Sequence, residues 1–479
     1  MNRIIVGPFN RVEGDLELTL DVDDGRVREA RVTATLYRGF EQILRGRPAL
    51  DALAITPRIC GICSLSQSLA AAAALRDASG GQAAPNGIVA ANIAHAAENI
   101  ADHLSHFYLF FMPDFARAEY AGRPGFQRTR RRFEAVRGEA AREVLPARRR
   151  LLETMGVLAG KWPHTLAFQP GGLTRALGLS ERVQLIGLVS EFEAFLETTL
   201  FAAPLDDVLS LSDLGELETF AETRDGDVSA FLRLARDLKL DRAGVGAGPF
   251  LSYGAYRDPE GALFPSGVYA AGAVAPLGLE AIVEDVATSW MRGPPRAPAQ
   301  GETEPDADRP GGYSWSKAPR YAGRPAEVGA FARQVVAGHP LVLAILQADG
   351  GASVRGRVVA RALEIAALTR QMGNWLRALR LRDPFAVPLP VPSEGAGVGL
   401  VEAARGGLGH WLAIRRGEID RYQIVAPTTW NFSPRDGAGV PGPLESALVD
   451  VGVGKLGAKA AIIQHVVRSF DPCMVCTAH

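Results

Sequence analysis

The residues best able to do chemistry in this 479-residue chain are its four cysteines, grouped as Cys60-Gly61-Ile62-Cys63 near one end and Cys473-Met474-Val475-Cys476 at the other. Asp471-Pro472 precedes the second pair, and His479 follows it as the last residue. Thiolates are soft donors, so two C-x-x-C pairs brought together make a four-sulfur site for zinc, iron or nickel. By spacing alone, a structural zinc or iron–sulfur site is the plain reading. A zinc-stabilised scaffold usually keeps its ligands local, however, whereas these pairs have to meet from opposite ends of the chain.

The elements that must carry them can be read from periodicity. Between Asp15 and Val22 apolar and polar residues alternate, Asp23-Asp24-Gly25 signals a turn, and Val27 to Leu36 alternates again, which predicts an antiparallel hairpin within a β-containing segment 1–50. Ser64 is placed to cap a helix from Leu65 to Ala78, which puts Cys63 at the positive helix end, where a thiolate is favoured over a thiol. A helix is predicted from Ile88 to Met112, with His95, Asn99, Asp102, His106 and Phe110 on one face. Arg128 to Leu152 reads as an arginine-rich helix with a solvated face, and Ser180 to Leu200 and Val228 to Leu240 read as amphipathic helices.

Gly244 to Gly254 lacks the spacing of a phosphate loop and reads as a turn-rich connection. Pro294 to Pro310 is an expected exposed loop, helices are predicted at Ala326–Ala337 and Val354–Leu381, and a Gly- and Pro-rich stretch, Leu389 to Val398, leads to Glu402 and Arg405. A final helix is predicted from Pro443 to Arg468. The fold class is mainly α with minor β, one large unit over residues 1–479 around a bundle of long helices.

A net charge of −1 offers no overall field for nucleic acid or an anionic membrane. No apolar run approaches the ~18 residues of a membrane span. The start, Met1 to Pro8, lacks the apolar core of a signal peptide, so a cytoplasmic address is expected. There C-x-x-C pairs serve metals or redox chemistry more often than disulfides.

Arg58-x-Cys60-Gly61-x-Cys63 together with Asp471-Pro472-Cys473-x-x-Cys476-x-x-His479 resembles the large subunit of nickel–iron hydrogenases. Arg11-Val12-Glu13-Gly14, Arg38-Gly39-x-Glu41, Asp102-His103, His106-Phe107-Tyr108, Arg405-Gly406 and Pro427-Thr428-Thr429-Trp430-Asn431 match in the same order, so the resemblance spans the whole chain. It implies a nickel–iron centre whose iron carries carbon monoxide and two cyanides, with Cys60 and Cys473 terminal on nickel and Cys63 and Cys476 bridging. It also implies heterolytic cleavage of dihydrogen, with Glu13 taking the proton from a terminal cysteine. Arg405 would lie over the open metal position, held by Asp102 and Asp471 and able to donate to a cyanide, with Thr428 donating to the other. Ala404 stands where many relatives have proline. Glu41, His479 and the backbone carbonyl of Ile424 would hold a magnesium ion. With no cysteine to spare, iron–sulfur clusters would reside in a small-subunit partner.

Some departures resemble one branch of that family, the regulatory hydrogenases that report hydrogen to a histidine kinase, turn over slowly and resist oxygen. Gln67 replaces the histidine most hydrogen-oxidising relatives carry, and Ile62 and Phe110 are larger than usual at positions lining the gas route. The sequence also stops at His479, without the tail that other members remove after metal insertion. A sensor assembled as a dimer of heterodimers is the expectation, with an energy-conserving uptake hydrogenase as the alternative.

Overall fold

In a computed structural model, described over residues 2–258 and 261–479, four long helices form the centre. Pro85–Ser105 packs on both Glu139–Ala159 and Val354–Ala378, and Leu179–Phe195 packs on the same two, closing a four-helix arrangement. Pro85 starts the first of these where a missing N–H costs nothing. That helix buries nearly its whole circumference, including His95, Glu98, Asn99, Asp102 and His103. Buried polar groups need partners, so a helix of this kind is one around which other segments are fastened. At its end the chain widens into a π-helical stretch, His106–Phe111, a feature common at functional sites.

Helix accounts for 47% of the chain and strand for 21%, so the fold is mainly α with minor β. The N-terminal hairpin is present as Leu16–Asp23 and Arg26–Ala34, with Asn2–Val6 added as a third antiparallel strand in the register Val6 to Leu18. A second antiparallel sheet, Glu394–Ala403, Gly406–Arg415 and Glu418–Val425, was not predicted. Its glycines look like loop residues in sequence, but they let a strand touch the Ser64–Ser79 helix. A Cβ on Gly399 would lie 1.9 Å from the carbonyl oxygen of Ala70.

Other expectations need correction. Phe250–Asp258 is a strand paired with Gly261–Ala270, beginning inside the stretch read as a turn-rich connection. The predicted helix from Arg128 divides into Phe126–Phe133 and Glu139–Ala159, because Gly138 folds back against the carbonyls of Arg132 and Glu134. The final helix is also broken, into Pro443–Leu448, a 3-10 segment Gly454–Lys459, and Ala461–Ser469. Residues 294–310 are largely exposed and run past Thr303, which reaches in to Glu41. Among the described residues no single helix is long and apolar enough to cross a membrane.

Candidate metal centre

Cys60 follows a 3-10 turn, Thr56–Ile59, in extended conformation, and Cys63 occupies the N-cap position of Ser64–Ser79. Ser64 is therefore the first helical residue and not the cap. The Leu65 and Ser66 amides, at 2.8 and 2.9 Å, donate to the Glu98 carboxylate, which also accepts from the Ser66 hydroxyl and from Trp162 Nε1. A carboxylate from the central helix thus does what a capping side chain does elsewhere.

Cys473 and Cys476 flank the start and lie within the single turn Met474–Thr477. The N-terminal segment laces this turn in place: Met474 N donates to Glu13 O at 2.7 Å. Arg38 ties the two loops together, donating from one nitrogen to Ile59 O at 2.5 Å and Val475 O at 2.7 Å. The four Sγ atoms then lie within 4.8 Å of one another, all buried, with Cys60 to Cys473 at 3.5 Å and Cys63 to Cys476 at 3.4 Å.

Four thiolates cannot share such a space without a cation. Hydrogen bonds from its three neighbours push the Cys60 thiol down, while Cys63, by the same contacts, and Cys473, by burial, are pushed up. The donor set therefore fits thiophilic metal, which would hold all four as anions.

Arg405 sits in the turn joining Glu394–Ala403 to Gly406–Arg415 and is buried. Its guanidinium pairs with both oxygens of Asp102, one at 3.0 Å, and donates to Asp471 Oδ1 at 3.2 Å, while Nε donates to Asp471 O at 2.9 Å. Burial works to raise the Asp471 carboxyl, but Arg405, His106 and Arg361 bring it below its ordinary value. Glu13, half-buried, is raised by burial and by the charge of Cys60. The Thr428 hydroxyl accepts from Cys473 N at 3.2 Å, leaving its own proton to donate elsewhere.

Next to the sulfurs lies a second polar cluster. Glu41 Oε1 accepts from Ile424 N at 2.8 Å and stands 3.3 Å from His479 Nε2, whose Nδ1 meets Cys476 O at 3.0 Å. Although burial favours its neutral form, Lys317 and His479 hold Glu41 at about 2. A cavity of about 20 Å³ is lined by Glu41, Glu284, Lys317, Ile424 and His479. Carboxylates and an imidazole around a space of this size suit a small hard cation. Lys317 and Glu284 carry no motif in the sequence and were not anticipated; only the fold brings their charges together, Nζ to Oε2 at 3.4 Å.

The structure sets Ile62, partly buried, against the apolar cluster to which all four cysteines belong. Gln67 is buried with its Oε1 on His410 Nε2 at 2.8 Å, and His410 Nδ1 meets the Tyr422 hydroxyl at 2.8 Å. Phe110 departs from its expected face. The π-helical stretch shifts the register there, so Phe111 enters the core while Phe110 is partly exposed, its carbonyl accepting from Arg11 at 3.0 Å.

A family model for nickel-dependent hydrogenases matches residues 38–131 and 142–479. The large subunit of the periplasmic [NiFeSe] hydrogenase of Desulfomicrobium baculatum is 29% identical over 100% of this chain and 95% of its own length. The hydrogenase-1 large chain of Escherichia coli is 28% identical, with the same coverage of 100% and 95%. The crystal structure of a reduced, active form of the Ni-Fe-Se hydrogenase from Desulfomicrobium baculatum superposes with a TM-score of 0.85 at 28% identity, covering 100% of both chains. With four buried sulfurs gathered from both termini and a family match over most of its length, this chain belongs to the nickel-dependent hydrogenase family, as a large subunit.

Proposed function

We propose that this hydrogenase large subunit is the catalytic half of a hydrogen sensor, a slow and oxygen-tolerant regulatory hydrogenase that signals to a histidine kinase. The observation that carries the reading is the surroundings of the N-terminal cysteine pair: Ile62 packs against the apolar cluster that includes all four cysteines, and Gln67 replaces a histidine with an amide engaged by His410. A bulky apolar side chain on the loop between Cys60 and Cys63 occupies volume that dioxygen would use. Uptake hydrogenases are also among the similar proteins, one of them from Bradyrhizobium diazoefficiens at 27% identity over 100% of this chain and 95% of its own. An energy-conserving uptake enzyme is accordingly the second reading.

Cys60, Cys63, Cys473 and Cys476 would hold nickel and iron, the iron carrying carbon monoxide and two cyanides, and this centre supplies the heterolytic cleavage of dihydrogen. Glu13, whose backbone is laced to the Cys473 loop and whose carboxyl feels the charge of Cys60, receives the proton and passes it outward. Arg405, locked between Asp102 and Asp471, holds a fixed positive charge and donors over the sulfurs, where they act on a ligand or substrate without reorganising. The Thr428 hydroxyl, which accepts from Cys473 N, would donate its proton to the other cyanide. Glu41, His479 and the Ile424 carbonyl would hold magnesium, which would clamp the C-terminal residue to the sheet.

All four cysteines lie in this one cluster, so electrons leave through a partner, an iron–sulfur small subunit. The sensor reading adds a dimer of heterodimers and a cytoplasmic address. The test is hydrogen oxidation by the purified heterodimer with a dye acceptor, after infrared bands have confirmed carbon monoxide and cyanide. Slow turnover that persists in air, with hydrogen-dependent change in kinase autophosphorylation, is expected. Fast turnover lost within minutes of exposure to air would replace the sensor by the uptake enzyme.

A further inference from the structure

Arg405 is carried by a turn that does not hold itself in shape. Ala403 pairs with Gly406, leaving Ala404 and Arg405 as a two-residue hairpin loop. The loops that suit the twist of paired strands put one or both central residues at positive φ. Neither Ala404 nor Arg405 has positive φ; that conformation falls to Gly406, at φ +132°. Nor does residue 404 contribute the fixed φ of a proline, since it is alanine.

What meets this turn from outside is Arg333, on the helix Ala330–Val336, with its side chain fully buried. A guanidinium has five N–H donors in a planar fork, and all are used. Nε and one terminal nitrogen donate to Glu364 at 3.1 and 2.7 Å, and the other terminal nitrogen donates to Glu402 Oε2 at 2.7 Å. The remaining two donors go to the carbonyls of Ala403, at 3.0 Å, and Ala404, at 3.2 Å, the two residues just before Arg405. Glu364 also receives His103 Nε2 at 3.2 Å, and His103 adjoins Asp102, the carboxylate that grips the Arg405 guanidinium. One buried cation thus holds both the backbone from which Arg405 springs and, through Glu364 and His103, the helical turn that aims its side chain.

We infer that Arg333 is a positioning residue for Arg405, fixing the Ala403–Gly406 turn by hydrogen bonds where the turn's own residues do not fix it. This rests on the reading of Arg405 as the group acting over the metal centre. A lysine at 333 keeps the charge between Glu364 and Glu402 but lacks the planar fork that reaches two carbonyls at once. The turn is then free to shift, and a displacement near 1 Å can lower a rate by ~10²-fold.

The test compares Arg333→Lys, Arg405→Lys and Arg333→Lys with Ala404→Pro in the metal-loaded heterodimer. Measurements are nickel and iron content, the cyanide infrared bands and the hydrogen oxidation rate. Arg333→Lys should retain metal, shift the cyanide bands in the sense that Arg405→Lys does, and lower the rate roughly tenfold or more. Proline, favoured at the first central position of a turn, should restore both bands and rate in the double variant. Wild-type bands and rate in loaded Arg333→Lys, beside an impaired Arg405→Lys, would overturn the inference, as would an impaired Arg333→Lys that the proline does not rescue. An unimpaired Arg405→Lys would instead overturn the reading of Arg405 itself. Should Arg333→Lys take up no metal, the double variant decides: loaded supports the inference, unloaded refutes it.

Discussion

The two cysteine pairs reach the same few ångströms by different constructions. Cys60 and Cys63 lead into a helix of 16 residues, Ser64–Ser79, whose first amides are satisfied by a single carboxylate, Glu98. Cys473 and Cys476 sit on one helical turn, Met474–Thr477, too short to be stable alone. That turn is tied to four separate places: to Glu13, to Arg38, to Thr428 and Thr429 on the helix Pro427–Asn431, and to Glu41 through His479. The first pair therefore leans chiefly on one helix and the carboxylate that holds its start, with Arg38 at Ile59 O and His164 at Pro57 O beside it, and is most sensitive to the loss of that carboxylate. The second is assembled from many weak ties and should tolerate losing any one of them, unless the tie also does chemistry.

Glu13 is the tie that does both, and it gives the largest expected effect. Its backbone laces the Cys473 loop whatever its side chain, because the bonds run through Glu13 N and Glu13 O. Glu13→Gln should therefore leave metal content and thermal midpoint unchanged while lowering hydrogen/deuterium exchange by ~10²–10⁴-fold, the usual scale for a lost proton carrier. Exchange at the wild-type rate would remove the side chain from the proton route and leave Glu13 as a structural strap only.

Glu98→Ala should show the sensitivity of the first pair. It strips the partner from the Leu65 and Ser66 amides, the Ser66 hydroxyl and Trp162 Nε1, all near the start of one helix. Unsatisfied buried donors cost ~1–3 kcal/mol each, and with water admitted to some of them a loss of roughly 3 kcal/mol is expected in denaturant unfolding, with metal uptake impaired. The effect depends on pH. Burial pushes Glu98 up to about 7, despite the donors that favour its anion. A carboxyl raised above its unfolded value of ~4.3 contributes most below that value, and its contribution declines as pH rises through the folded one. The deficit of the alanine variant should accordingly be about 1 kcal/mol smaller at pH 8 than at pH 6. A deficit that grows with pH would mean that Glu98 is an ordinary ionised cap.

How far the sequence exposed this contrast follows from what each residue needs. The thiols were legible because cysteines are few here and their chemistry depends on their type. Asp102, Arg405 and Asp471 followed from the family's motif, and they meet in the structure at the distances of a locked guanidinium. The strands on either side of Arg405 were not legible. Gly395, Gly397, Gly399, Gly407 and Gly409 lower strand propensity, and their value appears only in the packing: the first three lie against the Ser64–Ser79 helix, Gly407 against the Tyr253 ring and Gly409 against the Trp411 ring. Glu98, Arg333, Lys317 and Glu284 were missed for a related reason: each acts on a segment distant in sequence, and no local pattern announces it. Phe110 was misplaced because a period of 3.6 residues was carried across a stretch where the helix widens.

The smallest expected effect gives the sharpest test of redundancy around the second pair. Thr429 Oγ1 donates to Thr477 O at 3.0 Å and accepts from Ala426 N at 3.2 Å, so its hydroxyl both starts the Pro427–Asn431 helix and holds the end of the cysteine turn. Valine matches its shape and removes both bonds. If the ties are individually weak, Thr429→Val should cost about 2 kcal/mol, chiefly for the buried Ala426 N–H left without a partner, with nickel content per heterodimer unchanged. The Thr477 hydroxyl still donates to Cys473 O at 3.0 Å, and His479 still reaches Glu41. A variant that folds but takes up no nickel would show that the turn depends on this one bond. The second pair would then hang on one dominant tie, as the first does on Glu98, and the contrast between them would be lost.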